Sequence, residues 1–221
     1  MSKVNKERAG CVDVFHSKYF EGLHCKGEYG FPVIKGINEV PRRLIPFSKA
    51  MREKKDFHQW VCFYEDDHEF ERIWNSPLKY LSQLSRFEGV ISPDFSVYFD
   101  MPLAMQLWNI LRSRVIGAWL QKQGVKVIPN IRFGDERTYR CVCDGISRHS
   151  TIAVGSLGCL RVKEYRTVFE NGLLVIVDIL KPETLIIYGS APSNVDILKE
   201  KGINVVLINP LSFHNNKEVK R

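Results

Sequence analysis

Several short stretches of this chain carry side chains suited to chemistry at one shared point. In Ser92-Pro-Asp-Phe-Ser96 a carboxylate follows a proline. Proline fixes its own backbone angle, so Asp94 is rigidly presented, as a general base, a metal ligand or a reader of a ligand N–H must be. Tyr64-Glu-Asp-Asp67 offers Glu65 and Asp66 as further carboxylates, and Pro129-Asn-Ile-Arg-Phe-Gly-Asp-Glu136 offers Asn130, Arg132 and Asp135. Asn130 and Arg132 are two residues apart and share one side of an extended chain, where a polar pair can bind an anion. Converging Asp94, Glu65 and Asp135 would supply the hard oxygen ligands that Mg²⁺ or Mn²⁺ needs for phosphoester chemistry. Gly155-Ser-Leu-Gly158 and Tyr188-Gly-Ser-Ala-Pro192 add Ser156, Tyr188 and Ser190 in small-residue turns able to cradle phosphate through backbone N–H groups. Each group also has a plain structural use. Asp94 can start a turn, Asp66, Asp67 or Asp135 can cap a helix, and Arg132 can pair with a buried carboxylate. Neither turn matches a P-loop or a dinucleotide fingerprint, and Ser156 lacks the Gly-x-Ser-x-Gly context of a hydrolase nucleophile.

The elements that must position these groups recur from Gln59 to Pro210. Short β-branched or aromatic runs stand at 60–64, 89–92, 125–128, 151–154, 185–188 and 204–208, each followed by a helix-length stretch. Such alternation indicates parallel strands with helical crossovers, because parallel neighbours need a long return connection. A site in this architecture lies at the carboxyl ends of the strands, where all the candidate groups fall. Phe31-Pro-Val-Ile-Lys35 reads as an additional, edge-like strand, and 41–55 as a loop entering a short basic helix. The longest helix is expected over 102–123, with Asp100 as cap, Gly124 as stop, and Arg112 and Arg114 off its apolar stripe. The expected fold is α/β, a mostly parallel sheet forming an irregular or partial TIM-like (βα) barrel. The alternative is an open doubly wound sheet. Polar residues on alternate positions of 128–133 favour the barrel, since they are out of place in a flat sheet buried on both faces. The expected organisation is an irregular basic segment over 1–30, one α/β domain over 31–213 and a polar tail over 214–221.

At 221 residues, 44% hydrophobic and 26% charged, the chain can bury a core and is not of disordered composition. No apolar stretch reaches the roughly 20 residues of a membrane span, and the first residues lack the apolar core of a signal peptide. A cytoplasmic protein with no membrane partner is expected. The net charge is +7, and residues 1–55 hold 12 Lys/Arg against 6 Asp/Glu, so most of the excess sits at one end. That suits an anionic partner such as nucleic acid or a nucleotide, and equally a solvated basic surface. Two groups, Cys11, His16, His24 and Cys25, and Cys141, Cys143 and His149, contain zinc-type ligands, but neither has the paired spacing of a structural zinc site.

Taken in order, the Ser92-Pro-Asp-Phe-Ser strand end, Arg112-Ser-Arg114 in the long helix, Val127-Ile-Pro-Asn-Ile-Arg-Phe133, the Ser156-Leu-Gly turn and Pro182-Glu-Thr-Leu-Ile-Ile-Tyr-Gly189 resemble the domain of unknown function 4417 family of phage and mobile-element proteins. The resemblance spans roughly residues 20 to 210. It implies a phage or bacterial origin and a single-domain architecture, and it supplies no activity. The residues lead to an enzyme acting on nucleic acid or a nucleotide in the bacterial host cell, with Asp94 and Glu65 or Asp135 at its centre. The alternative is a non-catalytic binder that sequesters a nucleotide or inhibits a host protein.

Overall fold

The computed structural model describes residue 13 and residues 15–210. Cys11 and the polar tail lie outside them. A two-stranded antiparallel hairpin, β1 (Cys25–Lys26) and β2 (Phe31–Pro32), precedes the main sheet. Phe31–Pro32 thus belongs to the hairpin and not to the parallel wall. The first wall strand is β3 (Leu44–Pro46), within the stretch read from sequence as a loop. It pairs in parallel with β4 (Trp60–Cys62), then β5 (Gly89–Ile91) and β6 (Val127–Ile128) follow in order. A second parallel set, β7 (Thr151–Gly155), β8 (Thr184–Tyr188) and β9 (Asn204–Ile208), continues the sequence. One parallel bridge, Asn130 to Ala153, joins the two sets, with Ile131 N donating to the Ala153 carbonyl at 2.8 Å and Ala153 N to the Pro129 carbonyl at 3.0 Å.

The strand order therefore never reverses, whereas a doubly wound sheet requires a reversal. With right-handed crossovers a sequential order puts the helices on one face. These are α1 (Phe47–Ala50), α2 (Asp67–Asn75), α3 (Pro77–Leu84), α4 (Leu103–Lys122), α5 (Glu136–Tyr139), α6 (Lys163–Leu180) and α7 (Val195–Glu200). Alternation along each strand divides the core accordingly. Val61, Phe63, Val90, Val127, Ile152, Val154, Leu185 and Ile187 pack outward under the helices. Leu44, Trp60, Cys62, Ile91, Ile128, Ala153 and Ile186 form a separate inner cluster, joined by Val206 and Ile208. The Tyr64 ring, just past β4, stacks on Tyr188 of β8 at 4.5 Å, across strands that are not neighbours, so the sheet curls. Among the described residues no ladder runs from β9 back to β3.

The long helix differs from expectation at both ends of its chemistry. Its N-cap is Pro102, without a side-chain cap bond, rather than Asp100. Its second half is buried all round because it packs on the sheet at β6 and, opposite, on β2 and a 3-10 turn at Ser17–Tyr19. Arg112 is consequently half of a salt bridge to Glu71 at 2.6 Å and lies 3.9 Å from the Phe95 ring centre. Arg114 is fully buried, donates to the Val142 carbonyl, and has its pKa lowered to about 10 by desolvation.

Candidate functional site

The carboxyl ends of β4 to β7 surround a cavity of about 840 Å³, within the range of small-molecule sites. Its floor is built from three of those strands. After Ile91 the chain leaves the sheet at Ser92-Pro93, and Asp94 turns into the cavity with 12% of its side chain exposed. Past β6, Asn130 Nδ2 donates to Asp94 Oδ1 at 2.7 Å and Arg132 Nη1 lies 3.7 Å from Asp94 Oδ2. Tyr64, past β4, donates from its hydroxyl to Asn130 Oδ1 at 3.1 Å. Ser92 Oγ accepts from Asn130 N at 2.9 Å, which ties the two strand ends together. Asp94 Oδ1 is thus occupied by the protein, while Oδ2 faces the guanidinium without a direct hydrogen bond.

Arg132 Nη1 also donates to the Gly155 carbonyl at 3.2 Å and lies 3.8 Å from Cys159 Sγ, while its Nε is buried without a partner. The guanidinium has more donors than the protein supplies acceptors. Glycine at 155 lets the floor close: a Cβ there would sit 2.9 Å from Tyr64 Cδ1 and 3.1 Å from Asp94 Oδ2. Behind the floor the Tyr64 and Tyr188 rings stack at 4.5 Å, filling the mouth of the curled sheet.

Burial pushes the Asp94 carboxyl above its usual range, and the pull of Arg132 and the Asn130 hydrogen bond does not fully offset it. Burial also opposes charge on Arg132, but the field of Asp94, helped by Cys159, Tyr98 and Asp67, outweighs it and raises its pKa. Tyr64 is raised well above the phenol range, chiefly by desolvation, so it remains a donor. The floor is a fixed donor–acceptor pair: one cation, and one carboxylate whose proton affinity is raised.

The walls differ in character. Tyr98 and Tyr165, 50% and 40% exposed, stand with Phe99, Phe133, Phe169 and Leu157 on one side. Phe99 and Tyr165 meet edge to face at 5.1 Å. Another side presents Ser48, Lys49 and Arg52 from α1 and its C-terminal flank, with Glu65 and Asp66 before α2 and Glu69 in its first turn.

The family described as Domain of unknown function (DUF4417) matches residues 23–206, most of this chain and every residue of the floor. The chain belongs to that family. The chain is similar to the Gene 1 protein of Mycobacterium phage L5, 38% identical over 165 residues, which cover 73% of this chain and 71% of that protein. The Gene 1 protein of Mycobacterium phage D29 is 36% identical over 127 residues, covering 58% of this chain and 47% of that protein. No solved structure matches the chain. Among the described residues of this DUF4417 chain no helix is long and apolar enough to cross a membrane.

The fold thus brings together Asp94, Asn130 and Arg132 of the residues singled out from sequence, and leaves others apart. Glu65 lines the cavity, but its carboxylate is engaged by Ser48, accepting from the backbone N at 2.9 Å and from the hydroxyl. Asp135 lines a different, smaller cleft of about 370 Å³. It caps α5 by accepting from Arg137 N at 3.0 Å and pairs with the Arg137 guanidinium at 2.6 Å. Asp66 precedes α2 without a side-chain cap bond, and Asp67 instead accepts from Ser96 N and from Ser96 Oγ at 2.9 Å. Ser156 donates from Oγ to the Ser190 carbonyl at 2.8 Å, tying the ends of β7 and β8 behind the floor with Tyr188, rather than lining the cavity. Among the described residues no three His, Cys, Asp or Glu side chains form a group able to hold a metal ion, so the expected carboxylate set is not assembled. Cys141 and Cys143 instead donate to the carbonyls of Thr138 and Tyr139, with burial pushing their thiols up to about 11 and about 12.

Sequence reasoning missed the aromatic wall and the rim cations. The signal for Tyr98 and Phe99 was their place just after the Ser92–Ser96 strand end. Lys49 and Arg52 were visible only as part of a basic helix, with nothing in the spacing to place them on the same cavity as Asp94.

Proposed function

We propose that this chain is an enzyme that binds a nucleotide, free or within single-stranded nucleic acid, and moves a proton at it through Asp94. The observation that carries the reading is the cavity floor itself. A desolvated carboxylate has one oxygen secured by Asn130 and the other turned to the cavity beside Arg132. A buried acid of raised proton affinity in a cleft is the arrangement that general acid–base chemistry uses near neutral pH. The exposed faces of Tyr98 and Tyr165 support a ring-bearing ligand, since aromatic side chains stack on any base. We read the curled, sequentially ordered sheet as a partial TIM-like barrel wall whose open end is this cavity, and the bacterial host cytoplasm as the place of action.

The test is calorimetry of the full chain with nucleoside monophosphates and short single-stranded oligonucleotides, with products of prolonged incubation followed by mass spectrometry. Binding is expected in the micromolar to millimolar range of small-ligand sites. Asp94→Asn is expected to hold ligand within about tenfold of wild type and to lose about 10²-fold or more in turnover, the typical contribution of a positioned acid or base. Binding without any turnover would favour the sequestering role, and absence of binding would end the nucleotide reading.

A further inference from the structure

The chemistry of the floor and of the rim differs in a way that orients the ligand, and the inference drawn from it rests on the nucleotide reading above. At the floor Arg132 already faces a carboxylate 3.7 Å away, and both side chains are largely buried, at 15% and 12% exposure. A phosphate brought to that guanidinium would meet Asp94 Oδ2 at close range, where little solvent is left to screen two negative charges. A base edge meets no such opposition. Every base presents a ring or amino N–H beside a carbonyl or ring-nitrogen acceptor, which complements Asp94 as acceptor and Arg132 as donor. Tyr98, half exposed, lines the same cavity as Asp94 and Arg132, so an aromatic side chain is available to a base that reaches them.

The rim has the opposite balance. Lys49 and Arg52 of α1 and its C-terminal flank are exposed, line the cavity, and have no ion-pair partner among the described residues. Of the acids on that wall, Glu65 is engaged by Ser48 and Glu69 lies 3.3 Å from His68, which leaves Asp66 as the remaining acid lining it. Two free cations at the entrance, with solvent beyond, can hold a phosphate without desolvating it fully.

We infer that the ligand enters base first, its edge read by Asp94 and Arg132 and its phosphate held at the rim by Lys49 and Arg52, so that the reacting end is the base and the phosphoester stays outside. The proton exchanged with Asp94 Oδ2 is then a ring or amino proton of the base. The same orientation leaves both sides of the phosphate open to solvent, so a nucleotide at a strand end fits as a free one does.

Three probes and one double variant test this: a nucleoside, its 5′-monophosphate and ribose 5-phosphate, titrated into the full-length protein and into Lys49→Ala/Arg52→Ala. Both substitutions are on exposed positions, and a thermal melt checks that the variant is folded. The expected result is that the nucleoside binds and ribose 5-phosphate does not. The monophosphate binds about tenfold or more tightly than the nucleoside, and the double variant removes that gain while nucleoside affinity stays unchanged. Raising salt weakens the monophosphate and not the nucleoside. Ribose 5-phosphate binding as tightly as the monophosphate, with no dependence on Lys49 and Arg52, would overturn the orientation and leave the nucleotide reading standing. Failure of all three probes would overturn both.

Discussion

Asp94 is held where folding gains little from its charge. Its folded pKa is raised, chiefly by burial, so between the unfolded and folded values the native state binds the extra proton. The contribution of this carboxyl to stability is therefore greatest below the ordinary aspartate range and declines as pH rises through its folded pKa. Asparagine mimics the protonated form, and its amide oxygen can still accept from Asn130. Asp94→Asn is accordingly expected to melt at or slightly above the wild-type temperature at pH 7, and the difference is expected to shrink toward pH 4. Differential scanning calorimetry across that range checks it. A large loss of stability at pH 7 would mean that the ionised pair with Arg132 stabilises the fold after all. On the proposed function, activity and stability would pull in opposite directions at Asp94, as at sites that keep a desolvated group for function.

Elements, rather than single residues, explain why the carboxylates of this chain take such different roles. Asp135 follows β6 at a distance of a few residues, as Asp94 follows β5, yet a helix begins immediately after it. Its side chain satisfies the free N–H of Arg137 and pairs with the same residue's guanidinium, which holds its carboxyl below the usual range. That stabilisation is present above the ordinary aspartate pKa and is lost as pH falls through the lowered one. Asp135→Ala is expected to cost about 1 kcal/mol, the usual value of an N-cap, and to leave ligand binding at the Asp94 cavity unchanged. Urea denaturation with a parallel titration of the same sample checks both halves. If binding falls with stability intact, α5 positions the cavity more directly than its separate cleft indicates.

At the scale of the whole molecule, the two strand sets share one inner cluster and are joined at Asn130 and Ala153, a bridge that is also part of the site. They are expected to unfold together. Trp60, Trp74, Trp108 and Trp119 all lie before β7, so tryptophan fluorescence reports only the first part of the chain while circular dichroism reports all of it. Coincident urea transitions by the two probes are expected; a dichroism transition that continues after the fluorescence change would mean that β7 to β9 unfold separately. The sequence by itself determined the parallel α/β class and six of the seven wall strands, because alternation of β-branched runs with helix-length stretches is local information. It also placed Asn130 and Arg132 on one side of their strand, since the period of an extended chain is two. It found the edge-like strand at Phe31–Pro32 but not its hairpin pairing, and passed over β3, whose three residues, ending in a proline, are too few to show a period. The burial of Arg112 and Arg114 was equally hidden, because a helix packed on two sides has no single apolar stripe to read. Only the tertiary structure decided which carboxylate is free for chemistry. Glu65 and Asp135 are spent on the backbone N–H groups of Ser48 and Arg137, 17 and 2 residues away, whereas Asp94 accepts from the Asn130 side-chain amide 36 residues away. Arg137 is a local helix-cap partner, whereas Ser48 and Asn130 reach Glu65 and Asp94 only because neighbouring parallel strands place their carboxyl ends side by side.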